Sequence, residues 1–107
     1  MAEQEKPQIR MGPHYFRVEW QTLQGSVEKG MVTEEELRMI IGLVREVPRK
    51  IGPRKFRKLV KEHELSSKQR SVLSLVCQIR NEFPKAIKRG DLTKEQAREL
   101  QKEFGLK

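Results

Sequence analysis

Residues 28–37 read Glu28-Lys29-Gly30-Met31-Val32-Thr33-Glu34-Glu35-Glu36-Leu37, and this stretch governs how the rest of the chain is read. It carries the signals for ending one helix and starting another. Gly30 stands where a left-handed residue closes a preceding helix. Thr33 precedes Glu36 by three residues, the spacing of a capping box: the hydroxyl accepts from the amide of residue 36, and the carboxylate reaches back to the amide of residue 33. Val32 and Leu37 flank the cap at the positions from which two apolar side chains staple the entering chain.

The device recurs twice. Leu65-Ser66 with Gln69, and Leu92-Thr93 with Gln96, repeat the hydroxyl cap and its returning side chain. In the third box Ala97 offers only a small staple partner, and in the second Arg70 takes that place, so the staple fails. Each box is followed by apolar residues at helical spacing. Leu37, Ile40, Ile41 and Val44 form one stripe, stopped before Pro48. Val72, Val76, Ile79 and Phe83 form another, which Pro84 is expected to kink or end. Ala97, Leu100 and Phe104 form a third, with Gly105-Leu106 as a glycine cap and its apolar follower. Between the first two, Gly52-Pro53 opens a short helix with Phe56, Leu59 and Val60 on one face, Pro53 suiting the first helical position.

Residues 14–23 support two readings. Phe16, Val18 and Trp20 alternate as in a strand, whereas Phe16, Trp20, Leu23 and Val27 make a helical stripe. The helix is preferred because it runs further and leads to Gly30. The expected fold is therefore all-α, a compact bundle of four to five short helices, with an N-terminal strand as the alternative to the first helix. Residues 1–12 read as a flexible lead-in with Pro7 and Gly12 as breakers, and residues 13–107 as a single helical domain.

An internal echo lies at an offset of 60 residues: Glu28-Lys29-Gly30-Met31-Val32-Thr33-Glu34-Glu35 returns as Lys88-Arg89-Gly90-Asp91-Leu92-Thr93-Lys94-Glu95. Over these short strings the chain resembles the helical-hairpin signature of the short C-terminal module found at the ends of many bacterial proteins. The resemblance implies a helix, a glycine stop and a capped second helix at each copy. It consists mostly of turn chemistry, and no functional residue is carried over from it.

Composition narrows the function classes. Apolar and charged residues each make up 36% of the chain, so the core is expected to be thin, with long charged side chains covering its edges. No stretch approaches the roughly 20 apolar residues that span a bilayer, and Met1 to Gly12 lacks an apolar signal core. Cys77 is the one cysteine, which excludes an intrachain disulfide and suits a reducing cytoplasmic location. It lies beside the Val72-Val76-Ile79 stripe and reads as a packed thiol. His14 and His63 have no companion at metal-ligand spacing and read as surface histidines. Glu34, Glu35 and Glu36 suit the positive end of a helix dipole without any catalytic role. With no phosphate loop, nucleophile elbow or paired carboxylates, no enzyme, metal or cofactor is expected.

The net charge of +8 becomes informative once located. Arg45, Arg49, Lys50, Arg54, Lys55, Arg57, Lys58 and Lys61 face only Glu46 within residues 45–61, a net of +7. The other residues hold fifteen basic and fourteen acidic side chains, a net of +1. On a wheel of about 100° per residue with Phe56 at zero, Leu59 and Val60 fall at about 300° and 40°. Arg54, Lys58 and Lys61 fall at about 160°, 200° and 140°, with Arg57 and Lys55 on the flanks. The helix can thus dock on the core and aim five cations outward, with no acidic i+4 partner expected inside it. Such a surface suits a polyanion.

The expected function is a non-catalytic nucleic-acid-binding module, for DNA or RNA, with these eight residues laid on a phosphate backbone with little sequence specificity. A small regulator or a nucleoprotein-complex subunit fits that description. The alternative is a protein–protein adaptor whose basic helix grips an acidic partner, and a third reading is a solvated face answering Glu34-Glu35-Glu36 and Glu62 and Glu64. Membrane binding is not expected. Self-association along Val72, Val76, Ile79 and Phe83 is a further expectation. Residues 56–73 also read as a short helix, a tight turn at His63-Glu64-Leu65 and a capped helix from Ser66. The string from Leu59 to Ser66 looks like the first helix and turn of many DNA readers, which would aim Ser67, Lys68, Arg70 and Ser71 at a groove. Two departures weaken that likeness: Glu64 stands where glycine is common, and Arg70 where an apolar residue turns inward. Tyr15 and Trp20 are the aromatics open to base stacking, with core packing the preferred role for Trp20.

Overall fold

Local chemistry sets the helix starts. In the computed structural model, which describes residues 12–107, all three capping boxes are closed on both sides. Glu36 N donates to Thr33 Oγ1 at 3.1 Å while Thr33 N donates to Glu36 Oε1 at 2.7 Å. The Ser66–Gln69 and Thr93–Gln96 pairs repeat this within 2.9 to 3.2 Å. The five helices so delimited are α1 (Pro13–Glu28), α2 (Glu34–Arg45), α3 (Pro53–Glu62), α4 (Ser67–Arg89) and α5 (Lys94–Glu103). Among the described residues there is no strand, so residues 14–23 are helical. The alternation at Phe16, Val18 and Trp20 yields to the stripe, with Phe16, Trp20 and Leu23 buried and Val18 exposed. Of the lead-in, residues 1–11 lie outside the described residues, and Gly12 is the N-cap of α1.

The echo is structural as well as textual. Gly30 and Gly90 adopt φ of 76° and 85°. At the first turn Met31 N reaches back to Ser26 O and at the second Asp91 N to Ala86 O, each at 2.9 Å. Val32 and Leu92 are then buried, and the threonine caps follow. The chain thus contains two helix pairs joined by the same turn, α1–α2 and α4–α5. They are tied by α4, which packs closely on both α1 and α2, while α5 packs on α1 and α4.

One core joins these layers. Phe16 of α1 stacks on Phe83 of α4 with ring centroids 4.4 Å apart, and Trp20 stacks on Phe104 at the same separation. Phe83 and Phe104 stand 6.4 Å apart, so the rings form a continuous aromatic spine. Helix α3 joins through buried Leu59, with Phe56 and Val60 half-buried against the same core.

One sequence expectation is narrowed here and another corrected. Of the two outcomes expected at Pro84, a kink or an end, the end does not occur, and α4 continues to Arg89. An internal proline costs about 3 kcal/mol, but each large apolar side chain buried offsets roughly 2 kcal/mol. Phe83 and Ala86 are buried on the two sides of Pro84, with Ile87 packed behind them. The stripe Val72, Val76, Ile79 and Phe83 is also not available to a second copy, because all four are buried inside the chain itself.

Candidate nucleic-acid interface

The basic segment spans three structural settings. Arg45 ends α2, Arg49 and Lys50 lie in the connecting loop, and the other five cations ride on α3. Seven of the eight are exposed. Lys55 is half-buried, since its flank position lies close to the buried Leu59 side and its aliphatic stem covers that edge. The helix therefore presents four cations fully to solvent where five were expected.

Intramolecular neutralisation is slight. Lys58 Nζ lies 3.9 Å from Glu62 Oε2, an i,i+4 pair that corrects the expectation of no such partner within the helix. Glu62 closes α3 and so falls within reach of Lys58 on the same face. Among the described residues no other carboxylate pairs with the eight cations. Of the acidic residues proposed to answer them, Glu62 makes this one contact, while Glu34 and Glu36 are engaged elsewhere. Glu34 pairs with Arg38 at 3.3 Å. Glu36 caps Thr33 and accepts from Gln69 Nε2 at 2.7 Å, bonds that hold its carboxyl below the usual range, the Thr33 amide foremost.

The loop that carries Arg49 and Lys50 is clamped from α4 by residues the sequence did not single out. Arg80 donates to Val44 O at 3.2 Å and also to Val47 O, satisfying carbonyls at and beyond the end of α2. Asn81 makes a two-sided contact with the Ile51 backbone: Ile51 N donates to Oδ1 at 3.1 Å, and Nδ2 donates to Ile51 O at 3.0 Å. Val47 and Ile51 are buried, so the loop is anchored at both ends between its cations. Burial pushes the Arg80 pKa down from its ordinary value, with Cys77 opposing slightly. The available signal was the placement of Arg80 one residue beyond Ile79 at the edge of an apolar stripe, where a cation must find acceptors.

These anchors bring the first three cations into a groove they do not share with α3. Arg45, Arg49 and Lys50 line it together with Arg80, Lys85 and Lys107. Arg54, Lys55, Arg57, Lys58 and Lys61 do not line it. The candidate DNA-reader turn exists locally, with Glu64 at a φ of 49° and Ser66 capping α4. Ser67, Lys68, Arg70 and Ser71 are all exposed. Trp20 is buried and Tyr15 half-buried against Phe16, so neither forms an open stacking platform. His14 and His63 are exposed, and Cys77 is a buried free thiol. Among the described residues, no helix is long and apolar enough to cross a membrane. No family model, curated protein or solved structure matches this chain.

Proposed function

We propose that this protein binds nucleic acid without catalysing a reaction on it, laying the cations of residues 45–61 against the phosphate backbone. The observation that carries this reading is the exposure of seven cations in one short segment with a single carboxylate partner at 3.9 Å. Exposed like charge of that density repels itself and attracts a polyanion. Contacts of this kind are sequence-tolerant, since phosphates position a protein and base edges specify. Lysine and arginine on a short amphipathic helix reach several phosphates without burying apolar surface needed by the core. A cytoplasmic setting, as a small regulator or a nucleoprotein-complex subunit, belongs to the same reading.

Salt titration tests it. Four phosphate contacts to a duplex give a log–log slope of about −3.6, so a fourfold rise in salt weakens binding by roughly two orders of magnitude. Substituting Arg54, Lys55, Arg57 and Lys58 with Glu should abolish binding while far-ultraviolet circular dichroism remains helical. Unchanged affinity in that folded variant would overturn the proposal, and an absence of nucleic-acid binding by the unaltered chain would favour the acidic-protein adaptor instead.

A further inference from the structure

The groove beside the α2–α3 loop has a lining that the proposal above does not require. Its cations come from separate parts of the chain: Arg45 from α2, Arg49 and Lys50 from the loop, Arg80 and Lys85 from α4, and Lys107 beyond α5. No Asp or Glu side chain lines it. Val47, Pro48, Pro84 and Leu106 supply an apolar floor, and the volume is about 670 Å³. Convergence of six cations over 60 residues of sequence, with no Asp or Glu side chain in the lining, is a different matter from a basic run on one helix.

Three of these groups are partly engaged. Arg45 Nη1 donates to Gly105 O at 3.4 Å, Arg80 holds the Val44 and Val47 carbonyls, and Lys85 lies 3.7 Å from Glu82. Arg49 and Lys50 are exposed, make no ion pair among the described residues, and sit on a loop fixed by Asn81 and Arg80. The wall is therefore formed before a ligand arrives, which lowers the ordering cost of binding.

The geometry points to a phosphate-binding groove that takes the sugar–phosphate backbone of one nucleic-acid strand, a conclusion that rests on the nucleic-acid reading and adds a preference for single strands. The cations match the phosphates, and the proline and aliphatic floor matches sugar carbons. No aromatic ring lines the groove, so bases point outward and contribute little sequence preference. In this assignment the groove holds the backbone of one strand, and a duplex is held by the cations of residues 45–61 outside it.

Fluorescence anisotropy of the full chain with labelled oligo(dT) or oligo(U) of about 20 nucleotides, and with a duplex of the same length, tests this. The double variant Lys85→Glu/Lys107→Glu, which alters the groove outside residues 45–61, should weaken single-strand binding by about tenfold or more while duplex affinity changes by less than about threefold. Arg54→Glu/Lys58→Glu should weaken both. Equal losses on both probes, or no loss on either, in the groove variant would overturn the groove assignment while leaving the α3 surface intact if the second variant still acts. Failure of the unaltered chain on both probes removes the underlying reading itself. Should circular dichroism reveal misfolding of the groove variant, Lys85→Gln/Lys107→Gln reads the same contrast without charge reversal.

Discussion

Glu64 has a φ of 49°, the one positive value outside glycine among the described residues. It closes α3 in the same manner as Gly30 and Gly90 close their helices, with Glu64 N donating to Lys61 O at 3.3 Å and Leu65 N to Val60 O at 3.1 Å. A side chain there costs about 1 kcal/mol, because Cβ crowds the following carbonyl. Glu64→Gly should therefore raise the urea midpoint by an amount equivalent to about 0.5 kcal/mol or less, the greater freedom of the unfolded glycine chain offsetting much of the gain. Cys77 gives a second prediction at this scale. Burial pushes its thiol up to about 11, with nearby Arg80 opposing. The unfolded thiol ionises near the ordinary value of about 8.5, so the unfolded state loses its proton first as pH rises. Stability should fall between about pH 8.5 and 11, more steeply than in Cys77→Ala measured alongside. At neutral pH the thiol should react with an aromatic disulfide reagent only on unfolding.

At the scale of elements, α4 is the member that places the candidate site. Its apolar side holds α1 and α2 together, and its Arg80 and Asn81 fix the loop between α2 and α3. Removing either group leaves half-buried backbone acceptors or donors unpaired. Arg80→Leu should cost about 2 kcal/mol, and Asn81→Ala about 1 kcal/mol, measured by chemical denaturation. Hydrogen exchange distinguishes a local from a global effect: in Asn81→Ala the Ile51 amide should lose protection while amides in the middle of α4 keep theirs. Pro84 belongs to this scale too. The missing N–H leaves the Arg80 carbonyl without its helical donor, so Pro84→Ala should stabilise α4 if the backbone there is already helical, as it is. A drop in midpoint for Pro84→Ala would count against that assignment.

For the whole molecule, the concentrated charge sets the proposed binding against stability. Like charges within residues 45–61 repel at low ionic strength, and screening at high salt removes most of that repulsion between exposed groups. Arg54→Glu/Lys58→Glu should therefore unfold at higher urea than the unaltered chain at about 20 mM salt, with the difference shrinking towards about 1 M salt as the Debye length falls. The same variant is expected to bind nucleic acid less tightly. A variant that loses stability along with binding would mean that these side chains hold the fold.

What the sequence determined by itself is the set of helices and their ends. Capping boxes at Thr33, Ser66 and Thr93 and the glycines at 30 and 90 act within a few residues, so their chemistry is complete in the local string. The concentration of positive charge was equally legible, because counting needs no coordinates. Only tertiary structure decided that Pro84 stays helical, that Val72, Val76, Ile79 and Phe83 are covered by the chain's own helices, and that Lys58 meets Glu62. It alone joined Arg49 and Lys50 to Arg80, Lys85 and Lys107 across one groove. Those outcomes depend on burial and on distances between residues far apart in the chain, and short-range periodicity carries no information about which remote surface will meet a given face.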